Sequence, residues 1–373
     1  MEMPTLMGLY SESKKIALQG VRMMERICGR LPGFGRFRPL RGSFSALALL
    51  DERKVPGEVL LRAQGSGPCP RGSMTELAGM RQNDHQPWPV FWVRSDDARL
   101  AGRMLHWRDR GGRLCSEGVF YQHERVRLSE DKMFAQILVP KPRFLPGAWT
   151  SIASNWGNGL NYYHWMLDSL TRLELRESLP EPTRILVSSA ARGFMSETLE
   201  MLGLAGYVEC TSAACVQPER FYFCAPTAMT GAWNPLGYDW LRKRFAAFCL
   251  PTNCGPPIFL TRRGCARVPV NITEVEEMFT RHGFAIVDCG VISVKEQMSL
   301  ASNAPAIAGL HGAAMTNLLW AQPEVPVLEI FEPGYLNACY EQIAFHGKLL
   351  YQHQFLAASR DLYSIESWCR KIC

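Results

Sequence analysis

Ala306-Ile-Ala-Gly-Leu-His311-Gly312-Ala313-Ala-Met-Thr316-Asn317-Leu-Leu-Trp320 is the stretch from which the fold is read. A short apolar run, Ala306–Ala308, enters a turn of small residues around His311, and an apolar segment, Ala313–Trp320, follows. That pattern predicts a buried strand feeding a helix through a tight turn. The same alternation extends outward on both sides. Ile258–Leu260 reads as a strand, and Thr273 with Glu276 reads as a capping box opening a helix that stops at Gly283. Ala285–Val287 is the next strand, Ser293 with Glu296 caps the next helix, Val327–Phe331 is a strand and Leu336–Phe345 a helix. Four short buried strands alternating with helices predict a parallel, doubly wound, Rossmann-like layer over residues 253–352. Residues 353–373 are expected to form a helix that packs back on it.

Upstream the pattern loosens. Ile185–Val187 and Phe221–Cys224 read as strands, with helices near Gly193–Leu202 and Asp239–Phe248, the latter ended by Pro251. These could be part of a second half of the same kind, joined to the first by the Gly- and Pro-rich Asn253–Pro257. Residues 1–145 are poorly periodic and strand-rich, with Val59–Leu61, Val90–Val93 and Gly118–Tyr121 as short β-like runs and no catalytic motif. The expected division is a basic arm over 1–41, an N-terminal domain over 42–252, and the two C-terminal units above.

The chain has 373 residues, 47% hydrophobic and 20% charged, which excludes a disordered tract, a collagen repeat and a long coiled coil. No apolar run approaches the roughly 18–20 residues of a membrane span; Phe44–Leu50 is too short. Met1–Gly20 lacks the apolar core of a signal peptide, so a soluble, cytoplasmic protein is expected. Thirteen cysteines, an odd number with no C-x-x-C pair, read as reduced thiols. The net charge of +6 is concentrated at the start: residues 1–41 hold eight basic side chains against three acidic ones. Arg22, Arg26 and Arg30 recur every four residues beside Met23, Met24 and Ile27. This is the pattern of an arm on an anionic membrane, peripheral at the inner face of the plasma membrane, or of a solvated helix. Stacking aromatics are not interleaved with the basic residues, which argues against nucleic acid as a partner.

Four constellations carry chemistry. The turn at His311-Gly312-Ala313 lies where a strand's carboxyl end meets a helix N-terminus, which suits a diphosphate, with His311, Thr316 and Asn317 able to donate hydrogen bonds. It is neither G-x-G-x-x-G nor a Walker motif. Arg262-Arg263 follow the strand Ile258–Leu260 on the same rim, and guanidinium forks neutralise phosphate. Asn161-Tyr-Tyr163-His164-Trp-Met-Leu-Asp168 opens a helix on which His164, Asp168 and Arg172 share a face at i, i+4 and i+8. There His164 reads either as a general base oriented by Asp168 or as part of a structural network. Two ligands at that spacing do not make a metal site. Glu329 and Glu332, in and after a buried strand, can accept from ribose hydroxyls or pair with Arg262 or Arg263.

In combination these motifs resemble glycosyltransferase family 61: Asn161-Tyr-Tyr-His164-Trp165-x-x-Asp168, Arg262-Arg263, Ser293-x-x-Glu296-Gln297, Gly309-Leu-His311-Gly312-Ala313-x-x-Thr316-Asn317 and Val327-Leu-Glu329-Ile. The resemblance runs from about Trp149 to Tyr351. It implies an α/β, GT-B-like architecture in which two Rossmann-like domains face across a cleft, and an inverting, metal-independent hexosyl- or pentosyltransferase of the bacterial capsular-polysaccharide type. The donor would be a nucleotide-diphosphate sugar, UDP-sugar foremost, held by Arg262, Arg263, His311, Gly312, Ala313, Thr316, Asn317 and Glu329. The acceptor would be a glycan or glycolipid hydroxyl met by Asn161 and Tyr163, with His164 or Asp168 as base. No cofactor and no metal are expected, since Asp96-Asp97 lacks D-x-D spacing. A sugar-nucleotide epimerase or hydrolase, and a non-catalytic glycan-binding protein, are the alternative readings of the same fold.

Overall fold

A computed structural model describes residues 43–61, 89–102, 104–119, 141–154, 161–188, 191–227, 235–249, 255–263, 269, 271–357 and 361–372. The basic arm over 1–41 and the first part of the expected linker lie outside the described residues.

Ten described strands form the first sheet: β1 (Ser43–Phe44), β2 (Gly57–Leu61), β3 (Val90–Ser95), β4 (Arg99–Ala101), β5 (His106–Arg108), β6 (Leu114–Cys115), β7 (Arg143–Ser151), β8 (Arg184–Val187), β9 (Val208–Cys210) and β10 (Cys215–Cys224). β10 is shared between two kinds of pairing. On one side it lies parallel to β7, and β8 and β9 continue in parallel. On the other, its first residues pair antiparallel with β4 and its last four with β3. β4, β5 and β6 then form an antiparallel meander. One face buries Phe44, Trp107, Phe221 and Phe223, whose rings meet edge-on or tilted. Of the expected strand at Gly118–Tyr121, Gly118 and Val119 lie in a 3-10 turn, Glu117–Val119, and the other two residues lie outside the described ones. The cause of the turn is Glu117, whose carboxylate accepts from the Ser45 hydroxyl and from the Ala46 and Leu47 N–H groups, capping the short helix Ala46–Asp51.

The second sheet is parallel throughout: β11 (Ile258–Leu260), β12 (Ala285–Val287), β13 (Ile307–Leu310), β14 (Pro326–Phe331) and β15 (Leu350–Phe355), in the order β12-β11-β13-β14-β15. The first four strands fall where the apolar runs predict them. β15 was not anticipated and passes through residue 352, where the sequence division placed a boundary. The helix Leu362–Ile372 packs Ile365, Trp368 and Cys369 onto this sheet, with Trp368 against Phe284. Ser293 accepts the Glu296 N–H at 3.1 Å as a helix cap should. Thr273 and Glu276 form no such box: the helix Ile272–Arg281 begins after Asn271, and Glu276 turns inward to Thr261 and Arg263. The strand order reverses between β11 and β13. In open parallel sheets that reversal leaves a crevice at the carboxyl ends of the two strands.

Between the sheets runs the segment Tyr162–Arg176. It is not one α-helix: an α turn (Tyr162–His164) passes into a π turn (Trp165–Ser169), a 3-10 turn (Leu170–Arg172) and a final α turn (Leu173–Arg176). Asn161 starts it by accepting the His164 N–H on its side chain. Trp165, Met166, Leu170 and Leu173 lie in an apolar core continuous with Ile185 and Val187 of β8 and with Ile258, Ile307 and Val327 of the second sheet. No described helix is long and apolar enough to cross a membrane. Cys115, Cys215, Cys224, Cys339 and Cys369 are buried thiols.

Candidate functional site

The crevice at the β11/β13 reversal is where the chemistry collects. Arg262 follows β11 by two residues and His311 follows β13 directly, so the topology alone brings together side chains 49 residues apart. The Arg262 guanidinium donates through Nη1 to the His311 carbonyl oxygen. It can lie there because position 312 is glycine: a Cβ on Gly312 would stand 2.9 Å from Arg262 Nε and 3.0 Å from its Cδ and Cζ. Beside them opens a cavity of about 280 Å³, walled by Arg262, Leu310, His311, Ile330 and the Glu332–Tyr335 loop after β14. Cavities that hold small ligands start at roughly this size.

His311 is held on every side. Its ring stacks on Phe331, with centroids 4.8 Å apart and planes at 24°, and meets Tyr335 and Tyr340 at 5.2 Å each. Nδ1 bonds Glu329 Oε1, and the Tyr351 hydroxyl donates to the other oxygen, Oε2. Glu329 is wholly buried. Burial pushes its carboxyl above the ordinary range, against the opposing pull of the His311 and Tyr351 hydrogen bonds. Burial likewise pushes the Tyr351 and Tyr340 phenols upward, so both remain protonated donors. Glu329 therefore serves His311 from behind, with both oxygens engaged, and contacts neither Arg262 nor Arg263. Glu332 is the acid on the cavity wall.

Arg263 turns away from Arg262. It forms a fork with Glu276, its Nε 3.0 Å from Oε1, while the Thr261 hydroxyl donates to the same carboxylate. The Arg263 guanidinium, followed by the Thr261 hydrogen bond, holds the Glu276 carboxyl below its ordinary range. Thr316 and Asn317 are buried beneath the turn, in the 3-10 helix Ala313–Trp320. Asn317 Nδ2 donates to Gln297 Oε1 at 2.9 Å and to the Ala314 carbonyl at 3.0 Å, and Gln297 in turn donates to the Cys289 carbonyl. These side chains brace the turn, while Ala313 begins the helix after it.

The His164 constellation lies behind Tyr340. His164 Nδ1 is 2.8 Å from Asp168 Oδ2, with His164 about one-fifth exposed and Asp168 nearly buried. Tyr163 is buried edge-on to both His164 and Tyr340, at 5.2 and 5.5 Å. Since Tyr340 also meets His311, four rings link the two histidine–carboxylate pairs: His164, Tyr163, Tyr340, His311. Arg172 does not join the pair. The π and 3-10 turns rotate it off that face, and it donates to the Cys224 carbonyl (2.8 Å) and the Ala153 carbonyl (2.9 Å) over the Phe223 ring. Among the described residues no three His, Cys, Asp or Glu side chains converge as a metal cage.

Residues 162–328 match the glycosyltransferase 61 family model. The match covers a little under half of the chain and supports a kinship with glycosyltransferase family 61. The protein is thus a glycosyltransferase, with a sugar donor and an acceptor as its substrates. No curated protein matches it. In this transferase the matched span contains His164, Asp168, Arg262, Arg263, His311, Gly312 and Asn317, and stops one residue short of Glu329. Tyr335, Tyr340 and Tyr351 were not anticipated as site residues. Each is an aromatic in a polar context after β14, and only the strand order brings them to His311.

Proposed function

We propose that the transferase seats a nucleoside-diphosphate sugar, UDP-sugar foremost, in the β11/β13 crevice and moves the sugar with inversion to a glycan or glycolipid hydroxyl. The contact of Arg262 with His311 across Gly312, at the reversal of a parallel sheet, carries this reading. The Arg262 guanidinium, bonded to the His311 carbonyl, and His311 itself both line a cavity of about 280 Å³. The diphosphate that leaves gains negative charge, and in a metal-independent transfer Arg262, His311 and the start of the helix Ala313–Trp320 offset it. Tyr335, 43% exposed at the cavity mouth, offers a ring face for the base or sugar.

On the acceptor side, His164 takes the hydroxyl proton as the glycosidic bond breaks. Asp168 orients its ring through Nδ1 and offsets the imidazolium. The parallel quartet β10-β7-β8-β9 and the five-stranded sheet are the two units from which a GT-B-like arrangement would be built. We assign the reaction to surface-polysaccharide synthesis of the capsular type on the cytoplasmic side of the membrane, with residues 1–41 docking on anionic lipid.

Calorimetry with UDP tests the site. Arg262→Ala should weaken binding about tenfold to a hundredfold, the range for losing a charge-assisted hydrogen bond. Unchanged affinity would remove Arg262 from the donor site. Slow hydrolysis of one nucleotide sugar from a panel, undiminished by a chelator, would give the donor and support the metal-independent route. Deleting residues 1–41 should abolish binding to anionic vesicles; equal binding by the truncated protein would rule out the docking arm.

A further inference from the structure

Behind the cavity stands a buried proton-holding unit whose two ends differ in what they can do. His311 gives Nδ1 to Glu329, Glu329 gives its second oxygen to Tyr351, and neither Glu329 oxygen reaches water. With Nδ1 committed, Nε2 is the ring nitrogen left for a ligand in the cavity that His311 lines. When a single proton is shared between Nδ1 and Oε1, Nε2 is a lone pair and repels a phosphate oxygen. A second proton makes Nε2 an N–H donor, whether it rests as imidazolium against carboxylate or as neutral imidazole against carboxylic acid.

We propose that the His311–Glu329–Tyr351 unit couples diphosphate binding to the uptake of one proton from solvent, with Glu329 and Tyr351 as positioning residues that set the pH range over which His311 can hold the donor. The inference rests on the diphosphate reading of the crevice given above. The proton balance is simple: one proton enters from water on binding and leaves when the nucleoside diphosphate departs, and no covalent bond changes at the unit. Because the leaving diphosphate gains charge as the glycosidic bond breaks, the Nε2–H contact strengthens at that moment.

Other titratable groups surround the unit. Arg262 comes from the loop after β11, and Glu332 and Tyr335 come from the loop after β14. Cys339, Tyr340 and Glu341 come from the helix Cys339–His346, and His353 from β15 beside Tyr351. Asp168 acts on Cys339 and Tyr163 from the far side. Burial pushes the Cys339 thiol and the Tyr340 phenol well above their ordinary values, and burial lowers His353. Carboxylates and guanidinium groups in general titrate outside pH 7.5–8.5. A phosphate monoester loses its second proton with a pKa of about 6, so the terminal phosphate of UDP is almost wholly ionised from pH 7.5 upward.

The experiment is calorimetry of the full-length protein with UDP at pH 7.5, 8.0 and 8.5, in buffers of differing ionisation enthalpy, which reads protons taken up per nucleotide. Wild type should take up a fraction of a proton that grows as pH falls, with UDP affinity dropping as pH rises. Glu329→Gln donates its amide N–H to Nδ1 and fixes Nε2–H on a neutral ring, so proton uptake and the pH dependence of affinity should both vanish. Tyr351→Phe removes a hydrogen bond from the carboxylate, so the drop in affinity should move to higher pH by about half to one unit. UDP binding by wild type with no proton uptake would overturn this inference and leave the donor site standing. The same holds for a Tyr351→Phe profile that does not move, or moves to lower pH. No UDP binding at all would overturn the donor site and this inference together. The wild-type and Tyr351→Phe measurements decide the matter even if Glu329→Gln fails to fold.

Discussion

Gly312 carries no side chain, and Arg262 lies where one would be. Its backbone is extended, so the demand for glycine comes from the guanidinium and not from the dihedral angles. Gly312→Ala should leave the fold intact, because the clash is with the end of a flexible side chain, and should push Arg262 off the turn. We expect a loss of UDP affinity of about tenfold or more with little change in melting temperature; an equal affinity would show that Arg262 binds from elsewhere. Arg263 makes the opposite case. Its fork with Glu276 depresses a carboxyl that, unfolded, titrates near pH 4.3. A depressed carboxyl stabilises the fold above its unfolded pKa, and that contribution is lost as pH falls through the folded value. The melting temperature should therefore decline on acidification below about pH 4.3, and less steeply in Arg263→Ala, which thermal melts across that range would register. Identical slopes would show the pair contributes nothing. The sequence presents Arg262 and Arg263 as equals; Glu276, 13 residues beyond Arg263, separates their roles.

Among the elements, the segment Tyr162–Arg176 is the most informative, because its hydropathy is helical while its hydrogen bonding is not. Periodicity sees where apolar residues fall, and Trp165, Met166, Leu170 and Leu173 are buried as it demands. It cannot see the five-residue turn that shifts phase in the middle, so His164 and Asp168 keep their contact while Arg172 leaves it. His164→Ala should then lower turnover by about 10²–10⁴-fold at nearly unchanged UDP affinity. Near-normal turnover in that mutant, with Asp168→Asn inactive, would make Asp168 the base. Legibility in the sheets followed burial. β11 to β14 are covered on both faces and read as plain apolar runs, whereas β15, an edge strand reading Leu-Tyr-Gln-His-Gln-Phe, mixes exposed and half-buried positions and was missed. With it went Tyr351. β7 was hidden by Pro146-Gly147 inside it, a pair that reads as a turn; Gly147 takes φ of +86° there, and the Glu219 carboxylate accepts its N–H.

At the scale of the molecule, the two sheets were legible unequally. The parallel C-terminal sheet follows from local alternation, but the first sheet depends on β10 pairing with strands more than a hundred residues earlier, which no local pattern encodes. That sharing bears on how the chain can be divided. The family match begins at residue 162 and ends within β14. A fragment cut to that span would strip β10 of β3, β4 and β7 at once, baring both edges of a ten-residue strand and the faces of Phe221 and Phe223. At the other end it would sever β14 after Leu328 and take both Glu329 and Tyr351 away from behind His311. Open edges of that length recruit other chains. The region by which the family is recognised is thus shorter than the region that can fold, and an expressed protein trimmed to the recognisable part should precipitate where the whole chain stays in solution.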